Sequence, residues 1–317
     1  MNRLSKISNI NSNIILEEEF DLAIFASGYE ERSSHLARII DKQNIRDHII
    51  LGFSELRDQG SRKANDEFYF KKFSEPLILK SDEEIELFLR LKEKCIYYEK
   101  KSHLKVLLDY TSMSRLWYSG ILNFFKMQYG KDVTLYLNYS IGEYNEDTSS
   151  NFEYSYSSIN SLPSLEGSLS SNNRILLVLS IGFAPYLVKS VIEEIEPNDI
   201  IGILPIPSIN ESYEKKSLDI MENDLKNEII HWVKCSVYNL ENIFRTYAEI
   251  ASNNLNEKDV LFLSLGPKIF SIASILVSQR FEHVTCLYLK SHQNGLTDVK
   301  SIGKRVCNTV EYREIDG

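Results

Sequence analysis

Two polar clusters interrupt apolar stretches in the first half of the chain, and both carry residue types that hold anions. Ser27-Gly28-Tyr29-Glu30-Glu31-Arg32-Ser33 follows the apolar run 22–26, and Asp109-Tyr110-Thr111-Ser112-Met113-Ser114-Arg115 follows the run 106–108. Gly28 allows a tight turn or a close backbone approach to a ligand. A helix starting just after it points free N–H groups and the positive end of its dipole at the strand edge, a setting that favours an anion. Arg32 can grip a phosphate or carboxylate through two hydrogen bonds, each contributing roughly 1.5–3 kcal/mol. The plain structural alternative is that Glu30 and Glu31 satisfy the helix start and Arg32 pairs with one of them. Asp109 ends an apolar strand, where a carboxylate is expensive unless it is exposed at the rim, caps a helix or has a partner. It could bond a ribose hydroxyl while Thr111 and Ser112 donate to a phosphate. Alternatively, Asp109 or Thr111 caps the helix that follows. With Glu30 or Glu31, Asp109 also offers a carboxylate pair for acid–base work, one raised in pKa by the other.

The surrounding sequence supplies elements that would position both clusters. Short apolar runs without clean alternation predict strands at 21–27, 47–53, 104–109 and 132–138, each buried on both faces. Helices are expected over Glu30–Asp41, Asp82–Lys92 and Met113–Gln128. Alternating β and α elements imply a parallel sheet with right-handed crossovers. Both polar clusters then fall just past the carboxyl ends of strands, where open α/β sheets bind ligands. The polar stretch Ser54–Asn65 also follows a strand end and reads as a flexible loop over the pocket. His35, three residues after Arg32, could face the pocket, but a solvent or core histidine is the more common case.

The second half repeats the pattern. Strands are expected at 174–180, 199–205, 259–264 and 283–289, and helices at 185–195, 214–228, 239–254 and 268–280, with Asn239 as an N-cap and Pro267 in a first turn. Gly28 stands 81 residues before Asp109, and Gly182 stands 82 before Ser264. Landmarks at a nearly constant offset set the architecture. The fold class is therefore α/β, two tandem Rossmann-like parallel-sheet halves forming an internal pseudo-repeat. The expected domains are a first half at 18–144 holding the polar pocket, a serine-rich linker at 145–173, and a second half plus tail at 174–317. Phe152, Tyr154 and Tyr156 leave room for one extra strand or hairpin in the linker, and Val306–Glu314 for an edge strand in the tail. Gly182, Gly266, Lys268 and Ser271 occupy the equivalent turns of the second half. There Phe183-Ala184-Pro185 replaces Tyr29-Glu30-Glu31, so that half is less polar.

Composition narrows the function classes. The chain has 317 residues and 43% hydrophobic content, as expected of a globular protein of one large or two ordinary domains. A net charge of −9 argues against a broad nucleic-acid-binding face, because phosphate neutralisation supplies most non-specific affinity. It leaves room for a local basic pocket. No apolar run approaches the ~20 residues that cross a bilayer, and the N-terminus lacks an apolar signal core, so a cytoplasmic protein is expected. Cys95, Cys235, Cys286 and Cys307 are scattered, which predicts neither a disulfide framework nor a zinc site. No cofactor or metal is expected. The marks of hydrolase triads, P-loops, metalloproteases and GxGxxG dinucleotide enzymes are missing from the sequence.

The turns themselves resemble those of CRISPR-associated Rossmann-fold (CARF/SAVED-like) sensor domains of bacterial immunity. Leu179-Ser180-Ile181-Gly182-Phe183-Ala184-Pro185 is similar to their first-strand turn. Asp109-Tyr110-Thr111-Ser112-Met113-Ser114-Arg115 and Gly266-Pro267-Lys268-Ile269-Phe270-Ser271 are similar to their later glycine-, threonine- and lysine-bearing turn. The paired glycines of that turn are missing from the first copy, and Pro267 replaces its threonine in the second. The resemblance implies a sensor for a nucleotide or nucleotide second messenger, bound between two such folds, with a separate effector protein as partner. Ser27, Gly28, Tyr29, Arg32, Asp109, Thr111, Ser112 and Arg115 would bind from the first half, and Gly182, Gly266, Lys268 and Ser271 from the second. Two other classes stay open: a nucleotide or NAD hydrolase using Glu30 or Glu31 with Asp109, and a structural subunit with vestigial pockets. An acidic side chain turned inward beside Arg32 would favour the hydrolase, and one that only caps the helix would favour the sensor.

Overall fold

A computed structural model describes residues 3–98, 100–128, 131–143, 154–168, 174–229, 231–293 and 298–314. The chain divides into two compact units, Met1–Thr148 with Leu296–Gly317, and Ser149–Gly295.

The first unit runs β1 (Arg3–Ile10), α1 (Ile14–Glu17), β2 (Phe20–Ser27), α2 (His35–Ile39), β3 (Ile45–Phe53), α3 (Arg62–Lys72), β4 (Leu77–Leu79), α4 (Ile85–Ile96), β5 (His103–Asp109), α5 (Arg115–Lys126) and β6 (Asp132–Gly142). Strands β4-β3-β2-β5-β6 lie side by side and parallel. Counted within the unit, that is the 3-2-1-4-5 order of a doubly wound Rossmann sheet. All eight residues of the central strand β2 are buried, which is why its sequence, Phe-Asp-Leu-Ala-Ile-Phe-Ala-Ser, shows no alternation. One face of the sheet, with Ala23, Phe25 and Leu107, packs against Leu36, Ala37 and Tyr69.

The second unit runs β7 (Tyr154–Ser161), β8 (Arg174–Ser180), α6 (Pro185–Ile195), β9 (Asp199–Pro205), α7 (Glu211–Asp219), β10 (His231–Cys235), α8 (Leu240–Asn254), β11 (Lys258–Ser264), α9 (Lys268–Arg280) and β12 (Val284–Gln293). Its parallel strands are ordered β10-β9-β8-β11-β12, again 3-2-1-4-5. Both halves therefore wind the same sheet, and Gly28 and Gly182 both fall in the turn after its first strand.

Each parallel sheet is extended by an antiparallel strand beside its fifth member, and the two halves exchange these strands. β7 follows β6 in the chain yet pairs with β12. A last strand, β13 (Ser301–Arg313), follows β12 yet pairs with β6, and β1 closes its outer side. The division at 145–173 and 174–317 is corrected accordingly. The expected linker carries β7 of the second sheet, and the tail belongs to the first unit. Hydrophobic patterning explains why: Val306, Val310 and Tyr312 are buried, so β13 is an interior strand and not the expected edge. Phe152 lies outside the described residues.

Several helices also differ from expectation. Glu30–Asp41 is a 3-10 turn, Glu31–Ser34, leading into the short α2. Ser54–Asn65 is not wholly a loop, because α3 begins at Arg62. α5 starts later than expected because Ser114, and neither Asp109 nor Thr111, is its N-cap; Ser114 Oγ accepts from Trp117 N (3.1 Å). Asn239 caps α8 as expected, accepting from Asn242 N (2.8 Å).

Candidate functional site

In the first unit the strand order reverses between β2 and β5, so the turns leaving these strands meet at the carboxyl edge of the sheet. They are in contact: a Cβ on Gly28 would stand 2.7 Å from Ser112 Cβ.

The turn after β2 is held by α3. Buried Asn65 donates through Nδ2 to the carbonyls of Gly28 (3.0 Å) and Glu30 (2.9 Å) and to Ser33 Oγ (2.9 Å), while its Oδ1 accepts from Ser34 Oγ (2.8 Å). Tyr69 donates to the Ser33 carbonyl (2.9 Å). Fully buried Arg62 donates to Asp66 (2.8 Å) and to the Phe53 carbonyl (2.7 Å), and Asp66 also accepts from Ser27 Oγ (2.5 Å).

Arg32 is closed into this framework. Its Nε and Nη2 straddle the Glu30 carboxylate (3.0 and 3.1 Å), and Nη1 donates to Tyr139 Oη (3.0 Å) and the Ser140 carbonyl (3.3 Å). Burial opposes its charge, yet Tyr139 and Glu30 hold its pKa above the ordinary arginine range. Glu30 does turn inward beside Arg32, but as a bidentate pair with both oxygens engaged. Glu31 accepts from Ser301 N (3.1 Å). The backbone N–H of Glu31 donates to Asp298 Oδ1 (2.7 Å), whose Oδ2 accepts from Ser61 Oγ (2.5 Å). Arg32 N donates to the Val299 carbonyl (3.1 Å). The chain's own carboxylate and carbonyl thus take the two N–H groups nearest to where an anion was expected.

Asp109 ends β5 and is buried. Its Oδ1 accepts from Thr111 N (3.2 Å), Thr111 Oγ1 and Asn138 Nδ2 (3.1 Å). Thr111 Oγ1 in turn accepts from Ser140 N (2.9 Å), tying the turn to β6. Burial pushes the Asp109 carboxyl up to about 6, against the opposing hydrogen bonds from Thr111 and Asn138 and the charge of Arg305. Asp109 Oδ2 and Ser112 Oγ are buried without a hydrogen-bond partner among the described residues. His35 Nε2 and Arg305 Nη1 are likewise buried and unmatched, and the two residues interact electrostatically: burial first, then Arg305, holds the His35 pKa below its ordinary value.

The second unit builds the equivalent edge from backbone. A Cβ on Gly182 would run into the Leu265 carbonyl oxygen, and a Cβ on Gly266 into that of Ile181. Leu265 N donates to the Ser180 carbonyl (2.8 Å), and Ser180 Oγ to Ser264 Oγ (2.8 Å). Lys268 opens α9 and Ser271 is buried within it. Phe183 covers the turn, packed on Tyr213 at 4.8 Å between ring centres with the Lys216 ammonium 4.9 Å from its own ring, a cation–π distance.

No protein-family model and no curated relative matches the sequence. The fold does match a solved structure described as a type III CRISPR defence DNA nuclease activated by cyclic oligoadenylate. The TM-score is 0.53 at 9% sequence identity, over 89% of this chain and 68% of that one. The likeness is one of fold, a mixed α/β architecture of two mostly parallel sheets.

At the level of single residues, Ser27, Gly28, Tyr29, Glu30, Glu31 and Arg32 lie at or in the turn after β2. Asp109, Thr111 and Ser112 lie at the end of β5 and in its turn, and Arg115 opens α5. Gly28 and Ser112 are brought together, as are Arg32 and Glu30, whereas Glu31 is tied to the segment ahead of β13. Tyr29 contributes a carbonyl that accepts from Ser61 N (2.7 Å). Gly182 and Gly266 meet in the second unit. The sequence reading missed Arg62, Asn65, Asn138, Tyr139, Ser140, Asp298 and Arg305. Arg62, Asn65 and Tyr69, at i, i+3 and i+7, form a helical stripe that a search for apolar residues passes over. Among the described residues no group of three or more His, Cys, Asp or Glu is placed to hold a metal, and no helix is long and apolar enough to cross a membrane.

Proposed function

We propose that the protein is a cytoplasmic nucleotide sensor of a bacterial defence system, binding a small anionic nucleotide at the carboxyl edge of its Rossmann units and signalling to a separate effector. The observation that carries this reading is the contact between the first-strand and fourth-strand turns in each unit, at the switch point where such sheets take nucleotides. In the first unit the buried, unpartnered Asp109 Oδ2 and Ser112 Oγ would take a ribose hydroxyl and a phosphate, with Thr111 in the same turn and Arg115 at the start of α5. In the second, Gly182 and Gly266 let the two turns close on each other beside Lys268, whose ammonium would meet an anionic ligand at that edge. The fold likeness makes cyclic oligoadenylates the first ligands to try. Calorimetric titration of the full chain with cyclic oligoadenylates and mononucleotides should give binding that Ser112→Ala and Lys268→Ala each weaken by about tenfold, roughly one lost hydrogen bond to a charged group. A chain that binds none of these ligands would end the sensor reading.

A hydrolase reading draws on one observation, the Asp109 carboxyl held near 6 with one buried oxygen free of hydrogen bonds, a perturbed carboxyl of the kind general acid–base catalysis uses. Its proposed partners are otherwise occupied, Glu30 by Arg32 and Glu31 by Ser301 N. Mass spectrometry of the nucleotides after incubation decides between the two. Turnover by the wild type that Asp109→Asn abolishes establishes the enzyme, and recovery of intact nucleotide supports the sensor.

A further inference from the structure

We propose that α4 is a self-pairing surface through which two copies of this chain associate, the two helices running antiparallel about a two-fold axis. α4 has two apolar faces. Leu87, Leu91 and Cys95 are buried, and Phe88 meets Phe124 of α5 edge-on at 5.0 Å. The opposite face carries Ile85 (74% exposed), Leu89 (54%) and Ile96 (53%). The outer face of an ordinary surface helix is polar, and clustered exposed apolar side chains mark an interaction site.

The spacing indicates a helical partner. Ile85, Leu89, Lys92 and Ile96 stand four, three and four residues apart, the alternation of a coiled-coil seam, where one polar position fixes register and orientation. The charges choose the partner. Asp82, Glu83, Glu84 and Glu86 gather at the start of the helix and Lys92 lies towards its end, where Arg90 and Lys94 pair within the chain with Glu93 (2.7 Å) and Asp47 (2.7 Å). A parallel pair would set Lys92 against Lys92. An antiparallel pair with Ile85 level with the partner's Ile96 seats Lys92 over the partner's Leu89 and sends its ammonium towards the partner's Glu86. Two-fold symmetry makes that contact twice. A lipid surface fits less well, because Glu86 and Glu93 border the stripe and anionic headgroups would repel them.

Sedimentation velocity of the full chain over a concentration series tests this. The wild type should dimerise reversibly. Leu89→Glu and Ile96→Glu should be monomeric with unchanged melting temperatures, since both side chains are exposed in the monomer. Lys92→Glu should weaken the dimer by about tenfold through like-charge opposition, and Glu86→Lys combined with Lys92→Glu should restore it. Any of three outcomes overturns the proposal: a wild type that is monomeric throughout, a dimer that Leu89→Glu leaves intact, or a double variant as weak as Lys92→Glu alone. A monomer that binds anionic vesicles through Leu89 and Ile96 also overturns it, in favour of a membrane surface.

Discussion

The two units wind the same sheet and finish its carboxyl edge by opposite means. In the first, side chains do the joining: Asn65 holds the turn after β2, the Asp109–Thr111–Asn138 group holds the turn after β5, and Arg32 and Asp298 tie the ensemble to neighbouring segments. In the second, the turns meet backbone to backbone because Gly182 and Gly266 have no Cβ. One topology thus tolerates a polar edge made of many hydrogen bonds, each of modest net worth, or a steric edge that depends on two missing methyl groups. The first can be tuned residue by residue and the second cannot.

The largest expected effect separates the units through the exchanged strands. Deleting 296–317 removes β13, and with it buried Val306, Val310 and Tyr312 and the hydrogen-bonded cover of β6. The first unit should lose cooperative folding, since deleting several core side chains at ~2–5 kcal/mol each exceeds the stability of a typical domain. The second unit, whose strands all lie within 149–295, should retain protection from hydrogen exchange. A truncated chain whose β2 and β5 amides stay protected would show the exchange to be ornamental.

Next in size is the contrast between glycines. Gly266→Ala drives a methyl group into the Ile181 carbonyl oxygen, and only backbone movement relieves it, so a loss of about 3 kcal/mol is expected. Gly28→Ala meets Ser112 Cβ at 2.7 Å and Oγ at 3.0 Å, a milder overlap than that at Gly266, relieved by a smaller backbone shift of the turn after β5. About 1–2 kcal/mol is expected there. Equal losses in denaturant unfolding would erase the distinction between a steric and a polar edge.

This contrast also explains what the sequence revealed. The parallel strands were legible because two-sided burial writes unbroken apolar runs, and the first polar cluster because charged residues at a strand end stand out. α3 was not, since the face it buries is Arg62, Asn65 and Tyr69, polar side chains: Asn65 and Tyr69 find their partners in the turn after β2, 31–37 residues away, and Arg62 pairs with Asp66 and the Phe53 carbonyl. β4 has three residues, too few for any period. The exchange of β7 and β13 rests on pairing across 126 residues or more, for which local patterning carries no signal. Arg32 shows both sides. Its pairing with Glu30, two residues away, was open from the sequence as the alternative to a phosphate clamp, whereas its bond to Tyr139, 107 residues away, was not.

A smaller effect tests the buried carboxyl of the polar edge. Folded Asp109 keeps its proton to about pH 6, whereas an exposed aspartate releases it near 4. Between those values the folded chain binds more protons than the unfolded one, so this group's contribution to stability falls as pH rises and stays low above pH 6. Asp109→Asn keeps an acceptor for Thr111 and Asn138 and has no proton to lose. Its melting curve relative to wild type should diverge in its favour from pH 4 to 6, reaching about 1–3 kcal/mol above that. A variant less stable than wild type at pH 7 would mean that the charged form is held by Arg305.

The smallest expected effect asks whether the polar edge is sealed by its own chain. Asp298 is exposed, so its bonds to Glu31 N and Ser61 Oγ contribute about 0.5–1 kcal/mol, and Asp298→Ala should lower the melting temperature by only a few degrees. Its consequence for binding should be larger. The Glu31 N–H loses its acceptor and a competing negative charge leaves the turn, so an anionic nucleotide that uses this edge should bind more tightly to the variant. Asp298→Asn separates the two contributions, since it keeps an acceptor and removes the charge. Tighter binding by both variants would show that the negative charge of Asp298 competes with the ligand. Tighter binding by Asp298→Ala alone would assign the competition to its hydrogen bonds. Unchanged affinity in both would move the ligand away from the first turn, towards Ser112 or to the glycine edge of the second unit.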